Sequence, residues 1–109
     1  MEHDLNDDLE QLLDEIVDVL RDIYDPEIPV NIYDLGLIYE VNINQPGEVD
    51  IDMTLTSPAC PVAESLPREV EMRIKKLPEI ETVRVNVVWD PPWDQSLISE
   101  DGKLELGLF

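Results

Sequence analysis

A chain of 109 residues carries 7 basic against 26 acidic side chains, a formal charge of −19, and one cysteine, Cys60. Such a field repels phosphate backbones and anionic lipid, which argues against a nucleic-acid or membrane-surface role. No apolar run approaches the ~20 residues of a membrane span, and Met1-Glu2-His3-Asp4 lacks the basic start of a signal peptide.

One cysteine cannot close an internal disulfide, which fits a reducing, cytoplasmic setting. A chain of this size buries roughly two-thirds of the surface its unfolded form exposes, so a core forms without cross-links. The expectation is one domain over 1–109, with residues 1–6 frayed and 94–109 as an extension.

From Asp7 to Tyr24, Leu9, Leu12, Leu13, Ile16, Val17, Leu20 and Ile23 recur at helical spacing with acids between them. Asn6 or Asp7 can cap the start. Asp25-Pro26 stops the helix, because a residue before proline avoids the helical region. Residues 1–27 hold eleven acids against Arg21 alone, −10 of the total charge. They read first as a solvated helix face that aids solubility.

Residues 25–34, punctuated by two prolines, read as an ordered loop, and Gly36 marks a backbone constraint. Leu37, Tyr39, Val41 and Ile43 then alternate with Ile38, Glu40 and Asn42. Beyond the turn signal Asn44-Gln45-Pro46-Gly47, Val49, Ile51, Met53 and Leu55 alternate with Asp50, Asp52 and Thr54. The two runs predict an antiparallel hairpin with one wet, acidic face, its other face covered by the first helix.

A second helical segment reaches about Lys76, with Val62, Leu66, Val70, Ile74 and Leu77 on one side. Pro61 suits a first helical position, which would make Cys60 the cap. Pro67 opposes that reading, since deeper in a helix it removes a hydrogen bond. The alternative start is Ser65, with Pro67 in the first turn. Val83, Val85, Val87 and Trp89 make a third strand, parallel to its partner if the two pair across the helical crossover.

The predicted architecture is α-β-β-α-β in the α/β (α+β) class: a three-stranded mixed sheet with two helices packed on one face. Asp90-Pro91-Pro92-Trp93 ends the third strand. The C-terminal apolar extension, with Ile98, Leu104, Leu106, Leu108 and Phe109, is expected to fold back or to dock on a second subunit. Trp89 reads as core and Trp93 as an interface candidate.

Cys60 stands where a strand pattern gives way to a helix pattern. Free N–H groups at a helix start favour the thiolate, the form that binds metal or attacks an electrophile. The plainer reading is a small buried apolar side chain. His3 is the one histidine and sits in the terminus, so a Cys-His dyad is disfavoured. There is no Cys-x-x-Cys pair and no glycine-rich phosphate loop.

Metal binding remains: a thiolate with nearby carboxylates or hydroxyls could hold iron, zinc or the edge of a cluster. One thiol is far short of the four that usually bind iron–sulfur, so other ligands must come from a second copy, a partner or a small thiol. Asp25-Pro26-Glu27 can be a mere helix stop, and Thr56 and Ser57 can merely satisfy backbone groups at a strand end.

Three stretches carry a resemblance. They are Asp25-Pro26-Glu27-Ile28-Pro29-Val30-Asn31-Ile32-Tyr33-Asp34-Leu35-Gly36-Leu37-Ile38-Tyr39, Met53-Thr54-Leu55-Thr56-Ser57-Pro58-Ala59-Cys60-Pro61, and Val87-Val88-Trp89-Asp90-Pro91-Pro92-Trp93. In this order they resemble the metal–sulfur-cluster assembly factor family, in its SufT-like branch of SUF-system accessory factors. The ending from Leu97 to Leu108 is similar too, so the match spans about 10–109. Where many relatives carry a glycine-richer stretch, this chain has Ala59-Cys60-Pro61-Val62-Ala63.

The resemblance implies a non-enzymatic factor that helps assemble iron–sulfur clusters or deliver them to client proteins. It implies Cys60 as the metal- or cluster-contacting residue, with Asp25, Glu27, Thr56 and Ser57 around it. A transient iron–sulfur cluster or iron would be handled there. Partners would be SUF-type assembly proteins and client apoproteins, with a weak homodimer through the C-terminal segment.

Two other readings are a PaaD-like accessory subunit of a phenylacetyl-CoA-type oxygenase and a thiol-dependent enzyme. PaaD-like relatives usually add a cysteine-rich C-terminal segment, and the missing histidine disfavours the enzyme.

Overall fold

The computed structural model describes residues 5–25, 28–45, 47–56 and 65–107. Helix α1 runs Leu5–Leu20, strand β1 Ile38–Gln45 and strand β2 Glu48–Met53. Helix α2 runs Ser65–Lys75, strand β3 Thr82–Val87, and a single 3₁₀ turn, Gln95–Leu97, precedes helix α3, Glu100–Leu106. The sheet order is β1-β2-β3, antiparallel between β1 and β2 and parallel between β2 and β3. The α-β-β-α-β core with its mixed sheet is as expected. The third helix was not.

Helix α1 starts two residues earlier and stops four residues sooner than its apolar period suggested. Asn6 and Asp7 therefore lie inside it and are not its cap. At the far end, Asp22 and Ile23 donate to carbonyls only three residues back, those of Val19 and Leu20, which tightens the last turn. Tyr24 then pairs with Asn31 in an isolated antiparallel bridge. Arg73 of α2 ties down this corner through an ion pair with the Asp22 carboxylate and a 3.1 Å bond to the Asp22 carbonyl.

Val49, Ile51 and Met53 of β2 are buried on one face, in one apolar cluster with Leu12, Ile16 and Leu20 of α1 and Leu66, Val70 and Ile74 of α2. Helix α2 starts at Ser65, which sets Pro67 in its first turn, where the missing N–H costs nothing. Pro61 as a first helical position, and Cys60 as a cap, fall outside the described residues.

Three details of the strands depart from simple alternation. Ile38 opposes Met53 and Glu40 opposes Asp52, so Tyr39 is an extra residue at a bulge. Ile38 rather than Tyr39 therefore faces the core with Val41 and Ile43. Thr54, expected on the wet face, is fully buried, because β2 ends at Met53 and the Thr54 N–H donates to the Leu37 carbonyl at 2.8 Å. Strand β3 ends at Val87, which leaves Trp89 beyond the sheet.

The 28–37 loop is as much core as either helix. Val30, Ile32, Leu35 and Leu37 are all fully buried. Its backbone is held by Ile32 N–H to the Ile23 carbonyl (2.8 Å), Leu35 to Asn31 (3.0 Å) and Leu37 to Ile32 (3.1 Å). Gly36 has φ +81, a left-handed conformation, which is the form its expected backbone constraint takes.

The C-terminal extension folds back onto this loop within the same chain. Ile98 is buried in the core cluster, and the Ser99 N–H and hydroxyl reach the Asp34 carbonyl (2.7 Å) and carboxylate (3.0 Å). Ser99 also caps α3, accepting from Gly102 N–H, and Gly107 closes that helix at φ 71. Ile98 and the half-buried Leu106 are thus spent inside the chain. Leu104 is exposed, and Leu108 and Phe109 lie outside the described residues.

Candidate functional site

The end of the sheet where β1 begins and β2 and β3 finish gathers the loops of interest. Leu55 and Thr56 leave β2 there, and Val88 donates to the Met53 carbonyl at 2.8 Å, carrying β3 one residue further. The chain then turns at the cis Asp90–Pro91 peptide and crosses back toward β1. The Tyr39 hydroxyl donates to the Pro91 carbonyl at 2.8 Å, and Trp93 Nε1–H donates to the Leu35 carbonyl at 2.7 Å.

This crossing leaves a shallow cleft of about 260 Å³ lined by Leu55, Thr56, Trp89, Pro92 and Trp93. The two tryptophans exchange the roles read from the sequence. Trp89 is 45% exposed, whereas Trp93 packs on the core and is hydrogen-bonded. The reason is the early end of β3, which projects Trp89 from a loop, and the Pro91-Pro92 turn, which folds Trp93 inward.

Of Cys60 and the four residues singled out around it, two are described. Asp25 is buried, and its Oδ1 accepts the Ile28 N–H at 3.0 Å, an Asx-type closure of the loop entrance. Thr56 is half-buried on the wall of the cleft. Glu27, Ser57 and Cys60 lie outside the described residues. Among the described residues, no group of three or more His, Asp or Glu side chains is arranged to hold a metal ion.

Two polar side chains bonded beside the cleft segment, Tyr39 to the Pro91 carbonyl and Asp94 to Ser96, were not singled out in the sequence. Burial raises the Tyr39 phenol above its usual value; the neighbouring Thr54 hydroxyl acts in the opposite sense, and the Asp94 and Asp90 charges add to the rise. Thr54 Oγ1 lies near enough to influence the phenol, yet the pair does not meet hydrogen-bond geometry. Among the described residues this buried hydroxyl has no partner. Asp94, which accepts from the Ser96 hydroxyl and N–H, is held below the usual aspartate range by those two bonds.

The Asn31–Asp34 pair beneath the loop was also missed. Asn31 Nδ2 donates to Asp34 Oδ2 and the Asp34 N–H to Asn31 Oδ1, both at 2.8 Å. The sequence signal was the polar pair three residues apart within an apolar loop.

Residues 13–87 match the iron–sulfur cluster assembly protein family. A protein of Porphyromonas gingivalis named Fe-S protein maturation auxiliary factor is 42% identical over 103 residues, covering 94% of this chain and 98% of that protein. The auxiliary factor SufT of Staphylococcus aureus is 40% identical over 86 residues, 79% of this chain and 98% of its own length.

A Bacillus anthracis crystal structure, titled a domain of unknown function, DUF59, superimposes with a TM-score of 0.83 at 35% identity. It covers 92% of this chain and 95% of that one. The chain belongs to the iron–sulfur cluster assembly protein family, and it is similar to SufT-like maturation factors. The resemblance carried by the three sequence stretches is borne out.

Proposed function

We propose that this protein is a non-enzymatic accessory factor in iron–sulfur cluster assembly or delivery, with Cys60 as the thiol that touches the cluster or iron it passes on. The observation that carries this reading is the match over 13–87, which takes in the whole segment from the β2 exit through Cys60 to α2. The relatives' names support an auxiliary place beside assembly proteins and client apoproteins.

The chemistry of the segment fits that role. A single thiolate supplies one soft ligand, too few to retain a cluster and enough to share one with a donor or acceptor. Asp25, Glu27, Thr56 and Ser57 are proposed as the oxygen-bearing surround of that thiol. In support, the 28–37 loop reaches the β2 exit through the Leu37–Thr54 backbone bond, and Thr56 stands two residues further on. With iron or a cluster as cargo, the cleft beside Thr56 would hold the apolar part of whatever protein presents or accepts it.

Replacement of Cys60 by serine tests the reading. The expected result is loss of complementation of an iron–sulfur enzyme defect with an unchanged melting temperature, because a thiol that acts on cargo rather than in the core would tolerate a near-isosteric hydroxyl. A buried structural cysteine would instead lose ~1–3 kcal/mol to an unpartnered hydroxyl. Full complementation by Cys60→Ser would sink the proposal.

A further inference from the structure

Strand β1 is the outer strand of the sheet, and among the described residues nothing pairs with its free edge. Helix α2 covers β3 broadly, but α1 covers β1 only thinly. Between α1 and this edge runs a groove of about 240 Å³ with Leu13, Val17, Ile38 and Val41 as its aliphatic lining and Tyr33, Tyr39 and Glu40 also on its walls. Leu13 is 38% exposed, and Leu9, one helical turn earlier on the same stripe, is 37% exposed. Between two irregularities of register, at Ile38/Glu40 and Ile43/Gln45, the edge is regular over residues 40–43, and a regular edge beside a groove, unpaired among the described residues, is a template for strand addition.

The opposite face of the same strand has the other chemistry. Glu40 pairs with Asp52 and Asn42 with Asp50, and alternation with the buried Val49, Ile51 and Met53 sets this row on the other face of the sheet, with Glu40 also reaching the rim of the groove. Asn44 and Asn86 donate to Asp50 and Asp52, so the amides there orient the carboxylates without neutralising them. Among the described residues the cation beside them is Arg84, 3.9 Å from Asp50 on the far side of β2 from the free edge.

We propose that the β1 edge receives an extended strand of a partner protein in which apolar and basic residues alternate. Side chains of an added strand point alternately to the two faces of the sheet. The apolar half enters the groove along Leu13 and Val17, and the basic half faces Glu40 and the Asp50–Asp52 row. Charge decides the occupant: a second copy of this chain, at −19, would set its own Glu40 against this acidic face, and like charges placed opposite one another are destabilising. This inference goes beyond the cluster-handling role and does not depend on Cys60.

The test uses the full chain, ¹⁵N-labelled, and a capped nine-residue peptide alternating isoleucine and lysine. Controls are a block-ordered peptide of the same composition and an isoleucine–glutamate alternation. The expected result is slowed hydrogen exchange and shifted amides within residues 40–45, with binding that weakens as salt rises. Glu40→Lys and Leu13→Asp should each weaken it roughly fivefold while leaving the amide signals of α2 and β3 in place.

Equal binding of the block-ordered peptide, shifts confined to the Trp89 cleft, or unchanged affinity in both variants would overturn the proposal. So would dimerisation of the free chain with its β1 amides already protected, which would make a second copy the occupant.

Discussion

Gly36 and Leu97 meet backbone against backbone: a Cβ on Gly36 would stand 2.3 Å from the Leu97 carbonyl oxygen and 2.8 Å from its Cβ. The positive φ of Gly36 would strain any L side chain in addition. The loop that feeds β1 and the segment that follows the Trp89 cleft are therefore locked at one point.

Gly36→Ala is expected to destabilise the protein by about 2 kcal/mol or more, from left-handed strain plus displacement of Leu97. Denaturant unfolding measures it. A loss below about 0.5 kcal/mol would mean that the 95–97 turn can move away freely.

Thr54→Val is expected to stabilise the protein. The buried Thr54 hydroxyl has no partner among the described residues, and an orphaned hydroxyl costs on the order of 1 kcal/mol relative to an isosteric methyl. The melting temperature should rise by about 4 °C for a gain of that size. A fall instead would reveal a bond from the Thr54 hydroxyl, either to the nearby Tyr39 phenol or to the 57–64 segment, and the Tyr39→Phe background separates the two.

Much of this could be read from the chain because the signals were periodic. The α1 and α2 stripes, the hairpin and the parallel third strand each repeat an apolar spacing over several residues, and each is there. What escaped was set by single contacts. The bulge at Tyr39 moves Ile38 rather than Tyr39 onto the core face, and no alternation pattern shows an insertion of one residue. Helix α3 is seven residues long and has a weak apolar period, although Ser99 before Glu100-Asp101 and Gly107 after Leu106 were cap signals in plain view.

The candidate site was legible as motifs rather than as geometry. Asp25-Pro26-Glu27 and Thr56-Ser57 named the loops, but the depth of the 28–37 loop in the core depends on long-range packing against Ile23 and Ile98. The exchange of roles between Trp89 and Trp93 likewise follows from where β3 stops and how two prolines turn the chain.

Charge sets the next prediction. Glu15 of α1 faces Glu79 in the turn between α2 and β3, and its carboxyl is raised by desolvation first, then by the Glu79 hydrogen bond and charge and by Asp18. An acid whose folded pKa is raised favours the folded state at low pH, and that contribution is lost as pH rises through the folded value. Glu79→Gln should therefore raise the urea midpoint at pH 7 and change it little at pH 4, at equal salt. Equal shifts at both values would show that the pair does not interact.

The same rule applies at the alkaline end. The folded Tyr39 phenol is raised above 10.0, chiefly by burial, so its contribution is intact below that value and is lost as pH climbs through the folded pKa. Tyr39→Phe loses the bond to the Pro91 carbonyl, so it should be less stable than the parent at pH 7. The gap should narrow above pH 10, where the parent alone has this phenol to ionise. Parallel loss in both proteins would assign the alkaline transition to other groups.

The C-terminal segment gives the last prediction, and it sets two ideas of that segment against each other. Its apolar residues had suggested self-association, yet Ile98 is buried against Val30 and Gly102, and Ser99 satisfies both the carbonyl and the carboxylate of the otherwise buried Asp34. Truncation after Asp94 would remove a buried isoleucine, worth about 2–3 kcal/mol. It would also remove the two bonds from Ser99 to the Asp34 carbonyl and Oδ1, each worth about 0.5–1.5 kcal/mol, while Asn31 stays on Oδ2. The truncated chain should therefore unfold at clearly lower denaturant, with both chains sedimenting alike at low and high salt. If the truncated chain is as stable as the full one and only the full chain self-associates as salt rises, the segment is an interface in solution.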